Sequence, residues 1–250
     1  MQEWQTKNGI SVVQVLGGRS NAYLISYRQQ HFLIDTGPSS NQKTLFTNLQ
    51  TCLCTTDGSH DSLTALILTH VHYDHVQNAR FLVDQFHVQV VVQRSETDYL
   101  TTGYGPIPKG TNKMTAFFSN FASKILIKNR KIKAKFSFNP LEWSTIVDET
   151  LDLSSMGINA YIIHTPGHSQ GSISIIVDDE FALVGDTLFG KKKGAVFPPF
   201  ADDAKEMIKS WKRLLGTNCQ VFLPGHGEQR NRDDVTRQYA HYSLKFGLDT

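Results

Sequence analysis

Cysteine is scarce, with three in 250 residues. Cys52, Cys54 and Cys219 are odd in number and show no framework spacing, which excludes a disulfide scaffold. Cys52 and Cys54 also stand too close for the usual zinc-finger pair, so reduced thiols are expected. No apolar run approaches the about 18 residues of a membrane helix. The opening MQEWQTKNGI lacks the apolar stretch of a secretory signal. A cytoplasmic protein with no membrane partner is therefore expected. Net charge is only +2, so no global field recruits nucleic acid. One absence is local. Tyr99–Leu141 has no acidic residue, while Lys109, Lys113, Lys124, Lys128, Arg130, Lys131, Lys133 and Lys135 fall inside it.

What is present reads as one α/β chain over residues 1–250. Short β-rich runs, ISVVQVL, NAYLISY and HFLIDTG, are separated by polar turns. A helical spacing follows over Ser39–Leu53, then a buried strand over Leu63–Thr69, a helix over His75–Phe86 and a strand over Val88–Gln93. Alternation of this kind marks the α/β class. In the basic stretch of about residues 99–141, Met114–Asn129 has helical spacing, with Phe117, Phe121 and Leu126 on one face. That stretch reads as a solvated insertion with an apolar underside, a lid favouring anionic substrates, or a dimer contact. Four more strands follow, and Asp202–Gly216 is a helix capped by Asp202 or Asp203 and stopped by Gly216.

Ligand-type side chains gather at strand ends. LILT runs into His70-Val-His72-Tyr-Asp74-His75, AYIIHTPG into His168, FALVG into Asp186 and QVFLPG into His226. Imidazole and carboxylate are the non-thiolate ligands of zinc, at about 2.0–2.2 Å. In an extended loop His70 and His72 point one way and Asp74 follows on that side, while His75 faces the other. Two adjacent metal sites follow, one fed by His70 and His72, the other by Asp74 and His75. His168, Asp186 and His226 are available to complete them, and a carboxylate has two oxygens with which to bridge. His31, His60, His87, His164 and His241 read as structural or surface residues.

THVHYDH resembles the His-x-His-x-Asp-His signature of the metallo-β-lactamase fold superfamily. Asp35 in LIDTG, His168 in TPGHS, Asp186 in VGDTLF and His226 in PGHG follow that pattern across nearly the whole chain. The resemblance implies a four-layer αββα sandwich with a dinuclear zinc centre, two Zn2+ per chain, at one edge. It assigns His70, His72 and His168 to one metal, and Asp74, His75 and His226 to the other. Asp186 bridges them and Asp35 orients the ligand loops. The implied reaction is hydrolysis by a metal-bridging hydroxide, with Asp74 as proton acceptor. β-Lactamases of this fold carry Cys or Ser at the bridging position, so Asp186 counts against lactam hydrolysis.

GDTLF and TPGHSQGSIS look like the glyoxalase II and lactonase side of the superfamily, whose members hydrolyse a thioester and a lactone. Two departures stand out. Where glyoxalase II continues with a glutathione-binding segment, this chain reads GKKKGAVFPPF. Where the lactonases carry a tyrosine, it has Phe189. The expected substrate is a small ester, thioester or lactone. The alternatives are a phosphodiester of a nucleic acid or nucleotide, or a persulfide oxidised at a single iron. Tyr73, Phe189 and Lys191 are candidate substrate contacts, and Phe197, Phe200 and Tyr104 candidate walls. Lactonase-type relatives pair, which makes a homodimer a candidate assembly. No additional nucleic-acid module accompanies the fold.

Overall fold

The computed structural model describes residues 1–54, 60–105 and 107–248, without the side chains of 122, 123, 125–128, 131 and 132. The first sheet holds seven strands in chain order: β1 (Glu3–Gln5), β2 (Ser11–Leu16), β3 (Ala22–Tyr27), β4 (Gln30–Ile34), β5 (Ala65–Ile67), β6 (Gln89–Gln93) and β7 (Thr145–Val147). β1 to β4 are antiparallel; β4 to β7 are parallel. The second sheet holds β8 (Thr150–Asp152), β9 (Ala160–His164), β10 (Ile173–Val177), β11 (Phe181–Gly185), β12 (Val221–Pro224) and β13 (Arg230–Asn231), again in chain order. β10 is antiparallel to both β9 and β11, and β11 is parallel to β12. β9, β11 and β12 therefore end at one edge, where their His168, Asp186 and His226 loops begin.

The layers follow from side-chain alternation. On β5, Ala65 and Ile67 face the second sheet, while Leu66 packs outward with Leu45, Leu49 and Leu82. Those outer residues come from α1 (Gln42–Leu53) and α3 (Ala79–Phe86), the latter preceded by the single turn α2 (Tyr73–Val76). On the second sheet, Ile175 and Leu223 face inward, and Ile176 and Phe222 pack outward with Met207, Trp211 and Val235. The outward partners belong to α7 (Ala204–Leu215) and α8 (Arg232–Phe246). The result is helix, sheet, sheet, helix. Asp203 caps α7 by accepting from the Glu206 amide at 3.0 Å.

Between β6 and β7 lie α4 (Thr97–Thr102), α5 (Lys113–Lys128) and α6 (Arg130–Lys135). The expected helix over Met114–Asn129 is α5, but its phenylalanines do not form an underside. Phe117 and Phe121 are exposed; the Leu126 side chain lies outside the described residues. The segment is tied down at both flanks. Gln77 Nε2 donates to the Lys135 and Ser137 carbonyls, and the Ala201 amide donates to the Lys109 carbonyl.

α7 sets the site edge. Trp211 is fully buried and its Nε1 donates to the Thr187 carbonyl at 2.7 Å, immediately after Asp186. Ser210 donates to the Pro166 carbonyl at 2.7 Å, in the turn before His168. Gly167 has φ 128°, and a Cβ there would lie 2.2 Å from the Met207 amide nitrogen, so glycine alone fits against this helix. No described helix is long and apolar enough to cross a membrane.

Candidate metal centre

β4 leads into Asp35, buried and in the left-handed region with φ 58°. Its carboxylate accepts from the Thr69 amide (2.8 Å), the Thr69 hydroxyl (2.7 Å) and His75 Nδ1 (2.8 Å). The Thr69 hydroxyl donates its one hydrogen to Asp35, so at 3.0 Å it accepts from His70 Nδ1. One carboxylate thus fixes the tautomers of two histidines and turns both Nε2 atoms inward. His168 Nδ1 donates to the Phe200 carbonyl at 2.9 Å, and His226 Nδ1 to the Arg19 carbonyl. Their Nε2 atoms face the same centre.

Asp186 sits among them. Its Oδ1 lies 3.4 Å from His75 Nε2; its Oδ2 lies 3.4 Å from His168 Nε2 and 3.3 Å from His226 Nε2. Asp74 Oδ2 is 3.6 Å from His226 Nε2, and His72 Nδ1 is 2.9 Å from His168 Nε2. The donor atoms fall into three groups that could each hold an ion: His70, His72 and His168; Asp74, His75 and His226; and His70, His75 and Asp186. All seven sequence-predicted ligands converge, and Asp35 stands behind them.

The loop that carries them differs from expectation in one respect. His72 is extended, but Tyr73–Val76 is a helical turn. Helical geometry, not strand alternation, therefore swings Asp74 and His75 toward the second group.

The electrostatics suit a cation. Burial, then repulsion from neighbouring imidazoles, holds His70 and His72 well below the ordinary histidine range, in the neutral form that ligates. For His75, burial is outweighed by the Asp186 and Asp35 carboxylates, which hold it well above that range. Burial of Asp186 is outweighed by His226, His75 and His168, which keep its carboxyl well below the usual range. Two buried carboxylates thus demand positive charge beside them. His70 Nε2 and Asp186 Oδ1 are buried with no hydrogen-bond partner, whereas His72 turns its Nδ1 toward His168 Nε2. Such orphaned donor atoms are costly alone and are what metal coordination would satisfy.

Two supports, Glu96 and Asn21, were not visible in the sequence, and a third, Gly225, was visible only as part of the Pro-Gly turn before His226. Buried Glu96 accepts from the Val71 amide (3.1 Å), the Ser169 hydroxyl (2.7 Å) and the Gly171 amide (2.9 Å). It ties the His70–His72 loop to the His168 loop. Asn21 Nδ2 donates to the Pro224 and Gly227 carbonyls, bracing the His226 turn. Gly225 lies so close that a Cβ would meet Asp186 Oδ1 at 2.4 Å and His75 Cε1 at 2.7 Å.

Above the cluster opens a cavity of about 400 Å³. Tyr73, Phe189, Lys191 and Phe200 line it, as expected, with Ile107, Pro108, Phe118 and Phe136. Asp74, Asp186, His72, His168 and His226 form its floor. Phe189 packs on the His226 ring at 4.7 Å, and Arg19 donates to the Tyr73 hydroxyl at 2.7 Å. Two expected wall residues are elsewhere. Phe197 stacks on Tyr242 and stands edge-on to Trp211, in the outer core against α7 and α8. Tyr104 is covered by Lys133.

A profile of the metallo-beta-lactamase superfamily matches residues 15–226. The chain belongs to this superfamily. It is 28% identical over 219 residues to a probable metallo-hydrolase of Methanocaldococcus jannaschii, covering 86% of this chain and 91% of the relative. A solved archaeal metallo-beta-lactamase superfamily protein from Sulfolobus tokodaii superposes with TM-score 0.63 at 20% identity, over 92% of this chain and 85% of that one. A further solved structure, described as a di-iron-bound form, superposes with TM-score 0.59 at 23% identity, over 90% and 96% of the two chains.

Proposed function

We propose that this superfamily member is a dinuclear metal-dependent hydrolase of small acyl esters, thioesters or lactones. The observation that carries the reading is the convergence of seven candidate ligand side chains beneath an apolar cavity, with His70 Nε2 and Asp186 Oδ1 buried and without a hydrogen bond. His70, His72 and His168 would hold one ion, Asp74, His75 and His226 the other, with Asp186 between them. Zinc suits this all-nitrogen-and-oxygen set. Two such ions supply Lewis acidity and a water made acidic enough to react near neutral pH.

The chain's own groups do the rest. Asp35 and the Phe200 and Arg19 carbonyls hold the imidazole protons away from the centre. Asp74 lines the cavity and takes up the proton of the attacking water at its carboxylate. Phe189, Phe136 and Ile107 exclude bulk water and bind the acyl portion. Arg19 and Lys191, at the same cavity, favour a substrate with an anionic end. Water adds to the acyl carbon, and the alcohol or thiol departs.

The test is turnover of p-nitrophenyl acetate, a thioester and a lactone by zinc-loaded protein, alongside bis-p-nitrophenyl phosphate. Acyl hydrolysis by the zinc-loaded chain that Asp74→Asn abolishes supports the reading. Phosphodiester cleavage without acyl hydrolysis overturns it.

A further inference from the structure

α5 turns an apolar stripe to solvent. Met114, Phe117, Phe118 and Phe121 are 66%, 68%, 57% and 55% exposed, at the i, i+3, i+4, i+7 spacing of one helix face. Phe117 and Phe121 stack with centroids 6.3 Å apart, and Phe118 stands edge-on to Phe117 at 6.0 Å. The other large apolar side chains this exposed among the described residues, Met1 and Leu244, lie far away in sequence and singly. The stripe is continuous with the cavity, because Phe118 is part of its wall.

Along the chain on either side of it the charge has one sign, although Asp202 lies near Lys109 in space. Lys109, Lys113, Lys124, Arg130, Lys133 and Lys135 are exposed, and no acidic residue interrupts residues 99–141. Across the cavity, exposed Lys191, Lys192 and Lys193 add to the collar. Aromatic side chains inside a ring of lysines suit the boundary between lipid headgroups and acyl chains, where the rings enter the apolar layer and the cations meet anionic headgroups.

We propose that α5 is an interfacial anchor that docks the chain peripherally on an anionic lipid surface, with the cavity rim facing the lipid. A second copy fits the face poorly: a two-fold contact would set the same basic collar against itself, and residues 99–141 offer no acidic partner. Nucleic acid would satisfy the cations but leave the methionine and the phenylalanine stripe without an apolar partner. Docking stands on α5 itself; only its corollary, that amphiphilic acyl substrates enter from the lipid, rests on the proposed hydrolase activity.

The test is co-sedimentation of the full chain with vesicles of phosphatidylcholine alone, or with phosphatidylglycerol as about a third of the lipid. Binding to the anionic vesicles is expected, weakened by salt, with little to the neutral ones. Phe117→Ser combined with Phe121→Ser should lower the partition by about tenfold or more. Neither residue lines the cavity, so turnover of a water-soluble ester and the melting temperature should stay at the unsubstituted values. The proposal is overturned if the unsubstituted chain ignores anionic vesicles, or if the double variant binds them equally well. It is also overturned if sedimentation shows a dimer that the double variant dissolves while vesicles capture nothing. Lipid binding without any ester turnover would keep the anchor and sink the hydrolase reading instead.

Discussion

Replacing Asp35 by asparagine isolates the orienting carboxylate from the ligands. Asp35 accepts three hydrogen bonds, from the Thr69 amide, the Thr69 hydroxyl and His75 Nδ1. Asparagine has one acceptor oxygen. With that oxygen on the Thr69 amide, its NH2 group faces the Thr69 hydroxyl and His75 Nδ1. His75 must then accept at Nδ1, which moves its proton to Nε2 and points it into the centre. The Thr69 hydroxyl loses its acceptor and no longer fixes the proton of His70. Two hydrogen bonds to a charged acceptor are lost, each worth about 1.5–3 kcal/mol. New donors from the amide recover part, leaving a net loss of about 2–4 kcal/mol in folding stability. Metal affinity should fall by about 10–100-fold, the usual cost of removing such a partner. The loss should fall first on the ion held by Asp74, His75 and His226, because His75 is bound to Asp35 directly. Urea melts of the apo chain read the first quantity; competition against a chromophoric chelator reads the second. If Asp35→Asn keeps wild-type stability and holds metal as tightly, the tautomer argument fails.

Further outcomes follow from the same contacts. Gly225→Ala should abolish metal binding, since the new methyl lies within 2.4 Å of Asp186 Oδ1; the overpacking cost is about 1–3 kcal/mol, read by elemental analysis and melting. Glu96→Gln leaves one acceptor oxygen for Ser169 and Gly171 and sets its NH2 group against the Val71 amide. It should cost about 1–3 kcal/mol in a urea melt and weaken metal binding without touching a ligand. Burial pushes the Cys219 thiol from 9.0 up to about 11. A raised folded-state pKa means its contribution is whole below the unfolded value and lost as pH climbs through the folded one. Stability should therefore fall more steeply above about pH 9 in the unsubstituted chain than in Cys219→Ala, as paired thermal melts would show.

The candidate ligands were legible because each group of them follows an apolar strand, and three of the strand-end turns carry glycine beside the candidate ligand. Strand ends are where a sandwich of two sheets collects loops, so pattern and position agreed. The supports were less legible. Glu96 lies in the ordinary polar stretch RSETDYL, and nothing local distinguishes a carboxylate that will be buried against residues 71, 169 and 171. Asn21 acts across more than 200 residues of chain. Helical spacing identified α5 but could not say which way its face looks, since periodicity records a stripe and not its partner. The same limit applied to Tyr73–Val76, where a four-residue turn is too short to leave a period.

The most direct test of the central claim is metal content per chain, measured by elemental analysis on protein purified without added metal and again after incubation with zinc. Two ions per chain, falling to one or none in His70→Ala and His226→Ala, is the result predicted here. A chain that takes up no more than one ion at saturation, or whose uptake is unchanged by those substitutions, would contradict it.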